Sequence, residues 1–239
     1  MEIFWKTLAD YNAETWLAQL FIVIIGIVLT VALFLNSNKK NALAVKIYIA
    51  FLYIWIALVY YFHYCEYRSY TEVMALFWIV MAVIWIWDIF RNYTTFKSKR
   101  KYLFLSLVLV MMPIIYPLVS IARGLSFPNM TSPIMPSSIV AYTIGIFLFF
   151  GGRVNLLLAL LMCHWSLIGL MKTYYYDIPE DFLLGCAIIP AIYLFFKNNY
   201  IKNLDANSKP SGRFINIFFI ILCCMTGVGL MTIMAIQLL

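Results

Sequence analysis

Charge is what this chain has least of. Only 11% of its 239 residues are Asp, Glu, Lys or Arg, where soluble domains carry about 25%. With 65% hydrophobic residues and a mean hydropathy of +0.92, the composition excludes a water-soluble globule and a disordered chain. Cysteine is also scarce. The five are Cys65, Cys163, Cys186, Cys223 and Cys224, an odd number without zinc spacing, so neither a disulfide scaffold nor a structural metal site is expected. The sequence lacks a Gly-rich phosphate loop, a nucleophile elbow, paired catalytic carboxylates and a His-rich cluster. No catalytic residue, metal or cofactor is assigned on this reading.

What the chain does have is a series of apolar runs of bilayer length. A helix needs about 20 such residues to cross the hydrocarbon core. Cutting at the charged and Pro/Gly/Asn clusters predicts an all-α, polytopic membrane protein, a single integral domain over 1–239. Its eight spans fall at about 14–36, 43–65, 71–91, 102–122, 137–151, 154–172, 180–197 and 213–238. The fifth is short in its apolar core, Ile139 to Phe150, and needs Pro136, Ser137 and Ser138 at the interface to reach spanning length. The first follows only Met1 to Lys6, runs past 15 residues and ends in Asn36-Ser37-Asn38-Lys39-Lys40, so it reads as a retained helix and not as a cleaved signal.

Lys and Arg set the orientation. Thirteen of the 17 cluster at alternate connections, including the loops at 37–42, 92–101 and 198–212, which places those loops inside and both termini outside. The remaining four are Lys6, Arg68, Arg123 and Lys172; eight of the 10 acids join them outside. The strongly basic inner face needs only anionic lipid as a partner, and nothing calls for nucleic acid.

Polar groups at membrane depth are costly unless paired or wetted, so each is a candidate site residue. His164, inside the sixth span, suits a proton carrier or ligand contact; the plainer role is a neutral imidazole bonded to a carbonyl of a neighbouring helix. A metal site from His63, Cys65, Cys163 and His164 fails on depth and on the divergence of adjacent side chains around one helix. Asp88 is accounted for by a local pair with Arg91 or by snorkelling, and Lys46 lies close to the inner surface. Without a mid-depth lysine for a Schiff base, a retinal photoreceptor is disfavoured. Pro113 and Pro117 each remove a helical hydrogen bond from the fourth span, which predicts freed carbonyls near 109 and 113 and a broken helix of the sort that lines transporter sites; a simple kink is the alternative. Tyr11, Asn12, Glu14, Trp16, Gln19, Tyr60 to Glu66 and Tyr174 to Asp181 gather at outer ends, as an electronegative vestibule or as an aromatic belt. In the last span Cys223 and Gly227 make a small-xxx-small pair suited to helix packing or a homo-oligomer face.

Several of these landmarks recur in a fixed order. Tyr11-Asn12 with Trp16 and Gln19, Tyr60-Tyr61, Tyr116-Pro117, Pro136-Ser137-Ser138, Gly152-Arg153, Trp165 with Gly169 and Pro179-Glu180-Asp181 resemble a bacterial multi-pass membrane family described only as a domain of unknown function. The chain departs from its Trp-Pro-x-Gln by having Leu17 after Trp16, and from its Pro-Cys-Pro-Thr-Thr by having Met135-Pro136-Ser137-Ser138, which removes a thiol there. The resemblance implies a bacterial inner-membrane protein and brings no substrate.

Three functions compete on this reading. The first is a protein with an outward-facing polar cavity that binds or transports a small solute or cation, floored by the Pro113/Pro117 backbone. Its expected ligand-binding residues are Glu14, Gln19, Tyr116, Ser137, His164, Glu180 and Asp181. The second is a membrane-embedded enzyme on a lipid or quinone-like substrate with His164 as acid/base. The third is an accessory or scaffold subunit of a membrane complex.

Overall fold

A buried stripe of Phe4, Leu8, Tyr11, Thr15, Gln19, Ile22 and Gly26 recurs every three to four residues along the first helix and resumes at Leu33, while Trp16, Leu20, Phe21, Ile24 and Val28 stay exposed. The computed structural model describes residues 2–65, 71–97 and 102–176, together with Ile178, Asp181, Ile188 and 191–194. Helix α1 spans Glu2–Leu35, 34 residues or about 51 Å. It begins twelve residues before the expected span because the stripe continues through Phe4 and Leu8, with Glu2, Lys6 and Asp10 on the exposed side.

Helix α2 (Lys39–Trp55) is capped by Asn38, whose side chain accepts the Asn41 N–H at 2.8 Å, and continues as a π-helical stretch over Ile56–Tyr64. Helix α3 covers Thr71–Arg91, the bounds expected for the third span. These three helices are long and apolar enough to cross a membrane. Helices α4 (Leu103–Val110) and α5 (Met112–Ala122) meet at 68°, and the pair makes a fourth if taken as one broken span. Pro113 has no N–H to give, and both Ile114 N and Ile115 N turn to the Met111 carbonyl, at 2.9 and 3.0 Å, which starts a new helix.

Helix α6 (Pro136–Phe150) is buried at every one of its 15 positions. Apolar on all sides, it is the core of the bundle. At about 22 Å it is too short to cross the roughly 30 Å hydrocarbon layer alone, so the span expected at 137–151 is a central helix whose ends are finished by irregular backbone. Helix α7 (Leu156–Tyr176) follows and is 21 residues long, as α3 is. The expected seventh span is described only at Asp181, Ile188 and 191–194, and the eighth lies outside the described residues.

Two segments close the ends of α6. At its C-terminal end residues 94–97 run beside 150–153: Thr95 N donates to Arg153 O at 2.8 Å, Gly152 N to Thr95 O at 3.0 Å and Lys97 N to Phe150 O at 2.7 Å. Gly152 is required there, since a Cβ would stand 2.6 Å from the Thr95 carbonyl oxygen. This segment is anchored by a buried charge. Asp88 Oδ2 meets Lys46 Nζ at 3.1 Å, with the two residues 0% and 2% exposed, while Asp88 Oδ1 accepts from Thr94 N and Thr94 Oγ1 at 3.0 and 2.8 Å. The local Asp88–Arg91 pair is thereby corrected: Asp88 faces the core, and Arg91 sits over the Trp87 ring at 6.0 Å. Burial of the lysine stem in α2 brings its ammonium to α3, an arrangement that sequence spacing does not show.

Candidate functional site

The polar stripe of α1 does not stand open at a vestibule; it is spent on holding the Pro-rich segment 125–135. Asn12 Nδ2 donates to Pro128 O and Met130 O at 2.9 and 2.7 Å. Ser132 Oγ donates to Gln19 Oε1 at 2.5 Å, and Gln19 Nε2 donates to Thr15 Oγ1 at 2.8 Å. Tyr11 OH donates to Ile134 O and itself accepts from Trp55 Nε1, at 2.8 and 2.9 Å. Thr131 adds bonds to Tyr116 O and Ser120 from the α5 side. These donors meet carbonyls that a loop without regular structure leaves exposed, so irregular backbone is tolerated in the bundle.

Below this segment, between α1 and α5, lies a cavity of about 450 Å³. Its walls are Trp16, Leu20 and Val23 from α1, Pro113, Ile114, Pro117 and Leu118 from α5, and Phe127, Met130 and Pro133 from the segment above. Asn12, Gln19 and Thr131 supply its few polar atoms, at the end nearest that segment. Trp16, Leu20 and Leu118 are half exposed, so the cavity is a groove open along the side of the bundle. A smaller chamber of about 100 Å³ continues it at the α4–α5 break, sharing Val23, Pro113 and Ile114 and reaching Thr30, Tyr48 and Tyr142.

Of the seven ligand residues expected from sequence, only Gln19 reaches this groove, alongside Pro113 and Pro117. Glu14 is exposed and accepts from Tyr64 OH at 2.8 Å. Tyr116 donates to Asp181 Oδ1, both almost fully buried, in a cluster with Ser120 and Thr131 that adjoins the groove through Thr131 without Tyr116 or Asp181 lining it. The Ser137 hydroxyl is enclosed in the N-terminal turn of α6. His164 bonds through Nδ1 to Leu160 O of its own helix at 2.8 Å, the role an isolated buried imidazole takes. Glu180 lies outside the described residues. The groove wall is instead mainly apolar: Asn12 and Gln19 are spent on the segment above, and His164 on its own helix. Among the described residues no three of His, Cys, Asp and Glu converge as a metal set.

The residues that sequence reasoning passed over are Thr30, Tyr48 and Tyr142. One signal for them was present: Gly26, in a helix of bulky side chains, marks a close approach. A Cβ there would lie 2.3 Å from the Tyr48 hydroxyl oxygen.

Fold and site together define an α-helical protein with, among the described residues, three apolar helices of membrane-crossing length, or four with the broken pair, and a lateral groove beside the break. The chain belongs to the Family of unknown function (DUF6064), which matches residues 1–206. Neither a curated protein nor a solved structure matches it.

Proposed function

We propose that this protein is a multi-pass protein of the bacterial inner membrane that binds a long-chain, lipid-like molecule in the groove between α1 and α5. The observation that carries this reading is the lining: an apolar trough of about 450 Å³, half open at Trp16, Leu20 and Leu118, with amide groups only at one end. A small hydrophilic solute or ion would lose its hydration there without replacement, whereas an aliphatic chain gains about 25 cal/mol for each Å² of apolar surface buried. Binding for handling or carriage suits the groove better than catalysis, because His164 and the carboxylates named above lie elsewhere. In this reading the basic ends of the helices face the cytoplasm and anionic lipid, both termini face outward, and the chain crosses the membrane eight times; the division of Lys and Arg is its support.

The test is extraction into polymer nanodiscs without detergent, followed by mass spectrometry of the retained organic molecules. Wild-type protein is expected to hold a long-chain species that Val23→Trp, which fills the trough, has lost. Identical contents in the two would overturn the reading. A second reading, a small-solute or cation site, is favoured by one observation, the buried Asp181 carboxylate bonded by Tyr116.

A further inference from the structure

We infer that the inner chamber of the groove takes the hydroxyl end of that long-chain molecule, so that the ligand is an alcohol or phenol; this rests on the groove reading above. Tyr48 OH donates to Ile22 O at 2.9 Å. Thr30 Oγ1 donates to Gly26 O at 2.6 Å, which leaves it only as an acceptor, so the 2.7 Å contact with Tyr142 is donated by the tyrosine. All three hydroxyl protons in the chamber are therefore committed to protein partners, and what Tyr48 and Tyr142 still offer is lone pairs. The backbone adds to this. Ile114 N turns to Met111 O instead of to Val110 O, so the break removes the usual helical donor from a carbonyl beside the chamber.

The chamber is mainly apolar, and the few hydroxyl oxygens in its lining, left as acceptors, recognise a donor. A ketone, ester or ether end would set lone pair against lone pair, and a quinone carbonyl is rejected on the same ground while its hydroquinone form is accepted. An ammonium group also donates, but no Asp or Glu lines the chamber, and an uncompensated cation at this depth is costly. A neutral hydroxyl remains. The distances agree with a chain of ordinary length: from Thr30 to Trp16 the groove follows 14 residues of α1, about 21 Å. The bare backbone at Gly26 lets Tyr48 lie against α1, and both residues line the chamber.

The experiment uses the full chain in nanodiscs and two probes, octadecanol dibrominated at its tail and the methyl ether of the same molecule. Quenching is read as the difference between wild type and Trp16→Phe, which isolates the one tryptophan lining the groove. The alcohol is expected to bind about tenfold or more tighter than the ether, the consequence of one buried hydrogen bond made or missed. In the Tyr48→Phe/Tyr142→Phe double variant, which keeps both rings and their volume, that preference should largely vanish. A preference that persists unchanged there would be steric and would overturn the inference. Equal binding of both probes to wild type would overturn it while leaving the groove reading in place; absence of quenching by either probe would overturn both.

Discussion

Replacing Asp88 by Ala should be among the most damaging single changes in the described part of the bundle. Its carboxylate meets Lys46 at 3.1 Å with both residues at most 2% exposed, and it also accepts the Thr94 amide and hydroxyl at 3.0 and 2.8 Å. Without it the ammonium keeps only a 3.3 Å bond to Asn92 Oδ1, and the Thr94 N–H loses its acceptor. Breaking a buried pair by removing one partner costs about 3–5 kcal/mol. For a chain of this size each kcal/mol moves Tm by about 2–4 °C, which puts the expected drop at about 6–20 °C. Lys46→Met should cost less, because the carboxylate retains both Thr94 donors. The double variant Lys46→Met/Asp88→Leu should recover much of the loss, since two apolar side chains of similar bulk leave no charge unpaired. Fluorescence-detected size-exclusion after heating, in a mild detergent, measures all three. Neither wild type nor variants should respond strongly to salt, because a pair this enclosed is poorly screened. An Asp88→Ala protein that melts within about 2 °C of wild type would refute the reasoning, as would a double variant no better than the single.

Three further outcomes follow from other sites. Gly152→Ala places a Cβ 2.6 Å from the Thr95 carbonyl oxygen, a backbone atom with little room to give, and should destabilise by about 1–3 kcal/mol in the same melting assay; an unchanged Tm would show that the 94–97 segment moves freely. Asn12→Ala removes the donor to Pro128 O and Met130 O, so hydrogen exchange across 125–133 should rise about five- to tenfold, the equivalent of about 1 kcal/mol or slightly more, while exchange in α3 stays as it was. In a cysteine-free background, a cysteine introduced at Lys99 should resist an impermeant thiol reagent added outside intact cells; labelling there would reverse the proposed orientation.

How much of this was legible in the sequence depends on the range over which each feature is encoded. The helices were legible because their signal is local. Thr71–Arg91 is a continuous apolar run between charges, and the spacing of Pro113 and Pro117 announces a break within a few residues of the one at Met111. The start of α1 was missed because a charge at every fourth residue hides the stripe of Phe4, Leu8 and Tyr11 beneath it. That 137–151 is enclosed on every side was not legible, since a helix bathed in lipid and one surrounded by other helices are equally apolar. Site residues were harder still. Asn12 and Gln19 stood out as polar groups in an apolar run, but whether such a group faces a ligand or a loop carbonyl is decided by chain more than 100 positions away. The Lys46–Asp88 pair and the Tyr142–Thr30 contact are likewise long-range, separated by 42 and 112 positions.

In the proposed state the trough between α1 and α5 holds a long-chain molecule with its hydroxyl at the helix break. The most direct measurement is a cryo-EM map of the protein in native nanodiscs, bound to an antibody fragment to give it size. Elongated density lying along Leu20, Val23 and Pro117 and ending within hydrogen-bonding distance of the Tyr142 oxygen is the result predicted. A trough filled by the protein's own side chains, or ordered ligand density at Tyr116 and Asp181 with none beside Val23, would contradict it.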